Sequence, residues 1–194
     1  MRTNHTRLMR DAGFSLIELL VVIGILATAM GMAALVTRNT LGMSKADSAA
    51  KELEGALREA REAAISSRRN IDVTFVAPNI VTWGRREVNG SVETGVVTEL
   101  GRVTMEFGVQ FVKVPATVPD TPDGFGKAAP IDFGDATTLT FTSEGTFVDE
   151  TGEARNGSVF IGIPGDQTSL HSVTIFGPTA LVHRYAVAGK QWAD

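Results

Sequence analysis

Residues 14–36 read FSLIELLVVIGILATAMGMAALV, an apolar run with a single ionisable side chain, that of Glu18. As a helix, this run is long enough to cross the hydrocarbon core of a bilayer, which is ~30 Å thick. Residues 1–13, MRTNHTRLMRDAG, precede it and carry three arginines: Arg2, Arg7 and Arg10. Because basic residues remain on the cytoplasmic side, we expect this leader in the cytoplasm and the rest of the chain outside. The sequence therefore predicts one membrane-spanning helix.

Glu18 is unusual in such a helix. A carboxylate near the centre of a membrane-spanning helix costs roughly 2.5–3.5 kcal/mol, which makes Glu18 a candidate functional residue. The alternative interpretation is that Glu18 has no specific function and is tolerated because it lies near the lipid headgroups. Another alternative is a secretory signal peptide cut after Ala29, within Ala27-Thr28-Ala29. The signal peptide is the weaker interpretation, because the apolar run continues to Val36 and Glu18 would interrupt it.

Residues 13–22, GFSLIELLVV, resemble the N-terminal methylation motif of type IV prepilins and type II secretion pseudopilins. The motif has a glycine before the cleavage point, a phenylalanine after it and a glutamate four residues further on. The resemblance implies that a prepilin peptidase cuts between Gly13 and Phe14 and methylates the new amine of Phe14. It also implies that Glu18 pairs with the Phe14 amine of a neighbouring subunit, because a buried carboxylate needs a cationic partner.

The same resemblance implies a location and a set of partners. The chain is expected in the bacterial inner membrane, crossing it once, with its C-terminal domain in the periplasm before it enters a filament. The implied partners are the prepilin peptidase, other pilins or pseudopilins, the inner-membrane assembly platform and membrane lipid.

Residues 37–69 are predicted to continue the helix as a stem, because the first proline of the chain is Pro78. Gly24, Gly31 and Gly42 interrupt the helix, either as bending points or as places where small residues pack. Small and apolar residues recur at three- and four-residue spacing and predict one buried stripe on the stem. The stripe comprises Ala46, Ala49, Ala50, Leu53, Leu57, Ala60, Ala64 and Ile65.

Beyond residue 70 the apolar residues alternate, which predicts a β-rich globular domain over residues 70–194. Turn signals without a helical pattern favour a mainly antiparallel sheet. The proline- and glycine-rich residues 115–130 indicate a mobile surface loop. The predicted fold class is therefore α+β and pilin-like, with a long N-terminal transmembrane and stem helix packed on the sheet. The predicted strands are residues 71–76, 103–107, 138–142, 159–163 and 172–176.

A narrower resemblance extends from the end of the stem into the domain. Residues 60–64, AREAA, and residues 141–147, FTSEGTF, together with the two strands that follow, are similar to the GspH/FimT group of minor pseudopilins. Gly177-Pro178 departs from the group, in which a glycine usually follows the penultimate strand. The resemblance implies a minor subunit near the tip of a type II secretion pseudopilus or a type IV pilus. The alternative is a FimT-like minor pilin that binds DNA for uptake.

The composition favours a structural subunit over an enzyme. The chain has no cysteine and a formal net charge of −4, and it carries no recognisable catalytic constellation, so we predict no enzymatic activity, no cofactor and no metal. The two histidines outside the leader, His171 and His183, are predicted at surface or turn positions. The acidic groups Asp132 with Asp135, and Asp149-Glu150 with Glu153, suit solvated turns better than a calcium loop.

DNA binding is the weaker prediction. Arg184 and Lys190 lie in a C-terminal segment with Tyr185 and Trp192, and cations interleaved with aromatic rings can bind a nucleic acid strand. The segment offers few cations, however, and the whole chain is acidic. Arg184 and Lys190 are therefore candidate DNA contacts, with protein partners preferred.

Overall fold

The computed structural model describes residues 15–90, 92–189 and 191–193. The chain divides into two compact units, Met1–Asn39 and Thr40–Asp194. Helix α1 spans Leu16–Ser67 and contributes residues to both units. Helical secondary structure is therefore confirmed from Leu16 to Ser67. The predicted leader, the Gly13–Phe14 cleavage point and Lys190 lie outside the described residues.

Within its described residues, the Thr40–Asp194 unit contains eleven strands and one short 3₁₀ helix, Gln167–Ser169. Four of the five predicted strands are present, the first with the predicted bounds. The predicted strand 103–107 is wrong, because β3 ends at Thr104 and the chain then turns at Phe107. The other strands were not predicted. The strands are β1 (Ile71–Val76), β2 (Ile80–Asn89), β3 (Val92–Thr104), β4 (Gln110–Phe111), β5 (Ile131–Asp132), β6 (Leu139–Phe141), β7 (Phe147–Val148), β8 (Gly157–Gly162), β9 (His171–Phe176), β10 (Leu181–Ala188) and β11 (Gln191–Ala193).

The strands form two sheets. The first has the order β3-β2-β1-β6-β7, and the second has the order β11-β10-β9-β8-β4, with β5 also paired to β8. Every pairing between these strands is antiparallel. The predicted α+β fold with a mainly antiparallel domain is therefore confirmed.

One hydrophobic core joins the second half of helix α1 to both sheets. The predicted stripe is buried from Ala46 to Ala64, whereas Ile65 is 42% exposed and Ala56 joins the stripe unpredicted. A helix with a single apolar face needs a second layer to cover it, and here the inner faces of the sheets provide that layer. Among the sheet residues in this core are Ile71, Val81, Phe141, Val159, Val173 and Ile175.

Residues 115–130 contain no regular secondary structure, as predicted, but the loop is not wholly on the surface. Val118 is 2% exposed and packs in a second cluster with Phe160 and Val187 from the second sheet. The indole Nε1 of Trp192 donates to the carbonyl oxygen of Pro119 at 3.0 Å. The loop therefore covers the face of the second sheet that is turned away from helix α1.

Gly42 is a packing position. The residue is buried, and a Cβ built there would lie 2.7 Å from Oδ2 of Asp166. A larger side chain would therefore collide with the loop before the 3₁₀ helix. Gly24 and Gly31 have no atom within 4 Å of such a Cβ, so this explanation applies to Gly42 alone of the three.

Candidate functional site

The first half of helix α1 exposes its apolar side chains. From Leu16 to Met32 the large apolar residues are between 47% and 80% exposed, the extremes being Val22 and Leu16. The hydroxyl of Thr28 donates a hydrogen bond to the carbonyl oxygen of Ile25 at 2.8 Å, so it does not require water as an acceptor. An uncovered apolar surface of this kind marks a contact with lipid or with partner protein. Among the described residues, no helix is both long enough and apolar enough to cross a membrane.

Glu18 lies in the first turn of helix α1 and is exposed. A carboxylate in this position interacts favourably with the positive end of the helix dipole. Ser15 stands three residues before it, which is also the spacing of a capping box, in which serine and glutamate satisfy the free amides of the first turn. Glu18 can thus stabilise the N-terminus of helix α1 within a single chain. A contact with another subunit would be an additional role.

Arg184 joins the second sheet to helix α1. Its Nη1 donates to Oδ1 of Asp47 at 2.6 Å, and its Nε lies 3.4 Å from Oε2 of Glu54. Lys51 lies 2.7 Å from the other oxygen of Asp47. Burial favours a higher pKa for Asp47, but the hydrogen bond from Lys51 and the charge of Arg184 outweigh it and lower that pKa. Arg184, a candidate DNA contact, is therefore held by two carboxylates of the same chain.

The prediction that His171 lies on the surface or in a turn is wrong. His171 begins strand β9 and is 2% exposed. Its Nδ1 lies 2.9 Å from the carbonyl oxygen of Ser169, to which it donates, and its Nε2 lies 3.8 Å from Oδ1 of Asp47. Burial lowers the pKa of His171, because it disfavours the charged form of the ring. His183, in strand β10, has a side chain that is 47% exposed, as predicted.

Asp149 does not lie in a solvated turn, because its side chain is only 1% exposed. Its Oδ1 accepts hydrogen bonds from the amide and the hydroxyl of Thr151 at 2.9 and 2.6 Å, and Arg155 donates to its Oδ2. The hydrogen bond from Thr151, and then that from Arg155, lowers the pKa of Asp149 well below its usual range. Among the described residues, no group of three or more histidine, aspartate or glutamate side chains is placed to hold a metal ion.

The two segments that carried the narrower resemblance meet in the structure. Arg61, near the end of helix α1, donates from Nε to the carbonyl oxygen of Gly145 at 3.3 Å. Gly145 has φ +83°, and a Cβ there would lie 2.9 Å from Cδ1 of Ile65. Only glycine combines this backbone angle with so close an approach to the helix. The β6–β7 turn is thus fixed against the end of the stem.

Comparison with known proteins identifies the N-terminal segment. A family model described as the prokaryotic N-terminal methylation motif matches residues 8–34. No curated protein matches the chain in sequence.

Solved structures that match the chain include a minor pseudopilin and a type IV minor pilin. The minor pseudopilin EpsH from the Type 2 Secretion System of Vibrio cholerae is 16% identical, with a TM-score of 0.48, and the match covers 73% of this chain and 97% of EpsH. The type IV minor pilin FimU of Pseudomonas aeruginosa is 17% identical, with a TM-score of 0.46, and the match covers 78% of this chain and 94% of FimU. At this level of similarity, neither structure assigns a function to this chain. The matched segment does identify a motif: residues 8–34 carry the prokaryotic N-terminal methylation motif.

Proposed function

We propose that this chain is a minor pilin or pseudopilin subunit that enters a type IV pilus or a type II secretion pseudopilus. The observation that carries the proposal is the methylation motif at residues 8–34. A prepilin peptidase cuts the chain between Gly13 and Phe14 on the cytoplasmic side of the inner membrane and methylates the amine of Phe14. The GspH/FimT-like segments favour a minor subunit near the tip of the filament.

Before assembly, residues 14–36 anchor the subunit in the inner membrane. The exposed apolar side chains of the helix support this role, because burying each of them in lipid or protein is worth about 1.5–3 kcal/mol. The arginines of residues 1–13 hold the N-terminus in the cytoplasm, and the Thr40–Asp194 unit lies in the periplasm. The same apolar surface then packs against neighbouring pilins when the assembly platform draws the subunit out of the membrane.

Glu18 selects the position of the next subunit. In the filament its carboxylate is surrounded by apolar helices, so it needs a cation, and the methylated amine of Phe14 of a neighbour provides one. The variant Glu18→Gln tests this role because glutamine keeps the capping-box spacing but removes the charge. We expect Glu18→Gln to be cleaved normally and to be missing from filaments. Normal incorporation of this variant would show that Glu18 serves only the helix end.

The intact mass and the N-terminal peptide of the membrane-extracted protein test the proposed processing. We expect a terminus at an N-methylated Phe14. A terminus at Met30 would identify a signal peptide cut after Ala29. The mature protein would then lack the apolar helix start, and the proposed filament function would be wrong. Deletion of the gene should also reduce protein secretion or pilus assembly.

DNA uptake by a FimT-like pilin remains the alternative prediction. The ion pairs of Arg184 with Asp47 and Glu54 count against it, because a phosphate would have to displace two carboxylates. Titrating the full chain in detergent with duplex DNA at several salt concentrations tests it. Salt-dependent binding that Lys190→Ala weakens would support DNA uptake, and absence of binding at micromolar concentration would exclude it.

A further inference from the structure

The turn between strands β3 and β4 places an aromatic ring on the surface of the Thr40–Asp194 unit. The amide of Val109 donates to the carbonyl oxygen of Glu106 at 3.1 Å and closes the turn. Met105 and Val109, on either side, are 1% and 0% exposed, whereas Phe107 at the tip is 68% exposed. The turn is thus fixed at both ends by buried side chains and presents a phenylalanine at its tip.

Neither the backbone nor the core accounts for a phenylalanine at this position. Phe107 has φ +58°, a left-handed conformation that is a genuine outlier for a bulky residue and that glycine or asparagine adopts more readily. The ring is exposed, so it adds little to the core. Residues held in an unfavoured backbone conformation are found preferentially at binding and switching sites. The position of the ring therefore points to a contact outside the folded unit.

Two side chains of helix α1 lie on the same part of the surface. The Nζ of Lys45 lies 5.3 Å from the centre of the Phe107 ring, within the range of a cation–π contact. Leu41 precedes Lys45 by four residues, so the two share a helix face, and Leu41 is 53% exposed. We call these three residues the Phe107 patch. Glu106 and Glu52 border it, and its composition of phenylalanine, leucine and lysine is typical of a membrane–water interface.

We propose that the Phe107 patch contacts the headgroup region of the membrane while the subunit is unassembled, an inference that rests on the proposed membrane anchor. Leu41 follows Val36, the end of the predicted span, by only five residues. Even fully extended, five residues reach no further than about 18 Å, so Leu41 stays near the bilayer whatever the orientation of the unit. The headgroup region extends roughly 5–8 Å beyond the hydrocarbon core, where a phenylalanine ring and a lysine stem can both be accommodated.

The absence of cysteine allows a site-specific test on the full chain. A nitroxide label on Glu106→Cys, beside Phe107, reports immersion through its accessibility to oxygen and to a water-soluble nickel complex. The chain is placed alone in vesicles of phosphatidylethanolamine and phosphatidylglycerol. We expect the label to be protected from nickel and accessible to oxygen, and a label on Ser66→Cys, an exposed residue near the other end of the stem, to be accessible to nickel.

The double variant Glu106→Cys/Phe107→Asn is the matched control. Asparagine suits the left-handed backbone, so the variant should fold with an unchanged or higher Tm, while the label should lose its protection from nickel. Equal nickel accessibility of the label in the single and the double variant would overturn the proposal. Protection that disappears when the chain is diluted to one copy per vesicle would also overturn it, because the cover would then be a second copy of the chain.

Flotation of the same vesicles separates the two hypotheses. If the chain floats with the vesicles and the label at position 106 is fully accessible to nickel, the membrane anchor stands and the Phe107 patch does not bind lipid. If the chain does not float, the proposed membrane anchor is wrong, and the proposed membrane contact of the Phe107 patch is wrong as well.

Discussion

The two halves of helix α1 have the same secondary structure but differ in the exposure of their apolar side chains. From Leu16 to Met32 the large apolar side chains are exposed on every face of the helix. From Ala46 to Ala64 the apolar residues form one stripe, which is buried against the two sheets. Most of the charged residues between them face solvent, the exceptions being Asp47, Glu54 and Arg61. An apolar surface on every face of a helix requires a surrounding apolar medium, whereas a single stripe requires only one packed layer. The first half therefore depends on lipid or partner helices, and the second half depends on its own domain.

The largest effect should come from shortening a side chain in the second half. Leu53 is fully buried, so Leu53→Ala should lower the free energy of unfolding by about 2–5 kcal/mol through lost contacts and a cavity. The matched variant Leu20→Ala, at a residue that is 61% exposed, should change it by less than about 0.5 kcal/mol in detergent. Thermal unfolding followed by near-UV circular dichroism measures both. Equal losses would show that the first half also packs on the domain.

Removing the charge that joins the second half to the sheet should have a smaller effect. Arg184→Met leaves Asp47 and Glu54 without their partner from strand β10 and should cost about 1–3 kcal/mol in chemical denaturation. The control is Arg102→Met, which breaks the surface ion pair with Glu99, half exposed on both sides, and should cost less than about 1 kcal/mol. If both variants are equally stable, the helix is held on the sheet by apolar packing alone.

Acidification should weaken the second half through His171. Burial lowers the pKa of this histidine in the folded protein, so the unfolded chain binds its proton more readily. The stability that depends on neutral His171 is complete above its ordinary pKa of 6.5 and is lost as the pH falls below that value. Denaturant midpoints between about pH 7.5 and pH 5 measure this slope. His171→Gln should flatten it and the exposed control His183→Gln should not. An unchanged slope in His171→Gln would assign the pH dependence to other groups.

The smallest expected change in the free energy of unfolding comes from replacing two glycines of helix α1, Gly55 and Gly42, which differ in what lies beside them. Gly55 is exposed with nothing near its missing Cβ, so Gly55→Ala should raise the free energy of unfolding by up to about 1 kcal/mol. Gly42→Ala should gain less or lose stability, because its Cβ would lie 2.7 Å from Oδ2 of Asp166. Differential scanning calorimetry of both variants compares them. A full gain in Gly42→Ala would mean that the Asp166 loop moves away without cost.

The sequence predicted the elements whose pattern is regular and local. Helix α1 follows from a continuous apolar run and the absence of proline, its buried stripe follows from three- and four-residue spacing, and strand β1 follows from clean alternation. Strand β2 was missed because bulges at Trp83/Gly84 and Arg86/Val88 shift its register and interrupt the alternation. The short strands β4, β5 and β7 contain two residues each, too few to form a pattern.

The methylation motif lies in one continuous stretch, so the sequence by itself determined this motif and the helix that it leads into. The tertiary structure decided what surrounds each polar group in the domain. It buried His171 behind the stem, enclosed Asp149 with Thr151 and Arg155, and paired Arg184 with Asp47 from 137 residues away. Burial and charge pairing depend on which distant segments meet, and no local pattern records that. For this reason the methylation motif and helix α1 could be predicted directly from the sequence, whereas the ion pairs and the exposed ring of Phe107 could not.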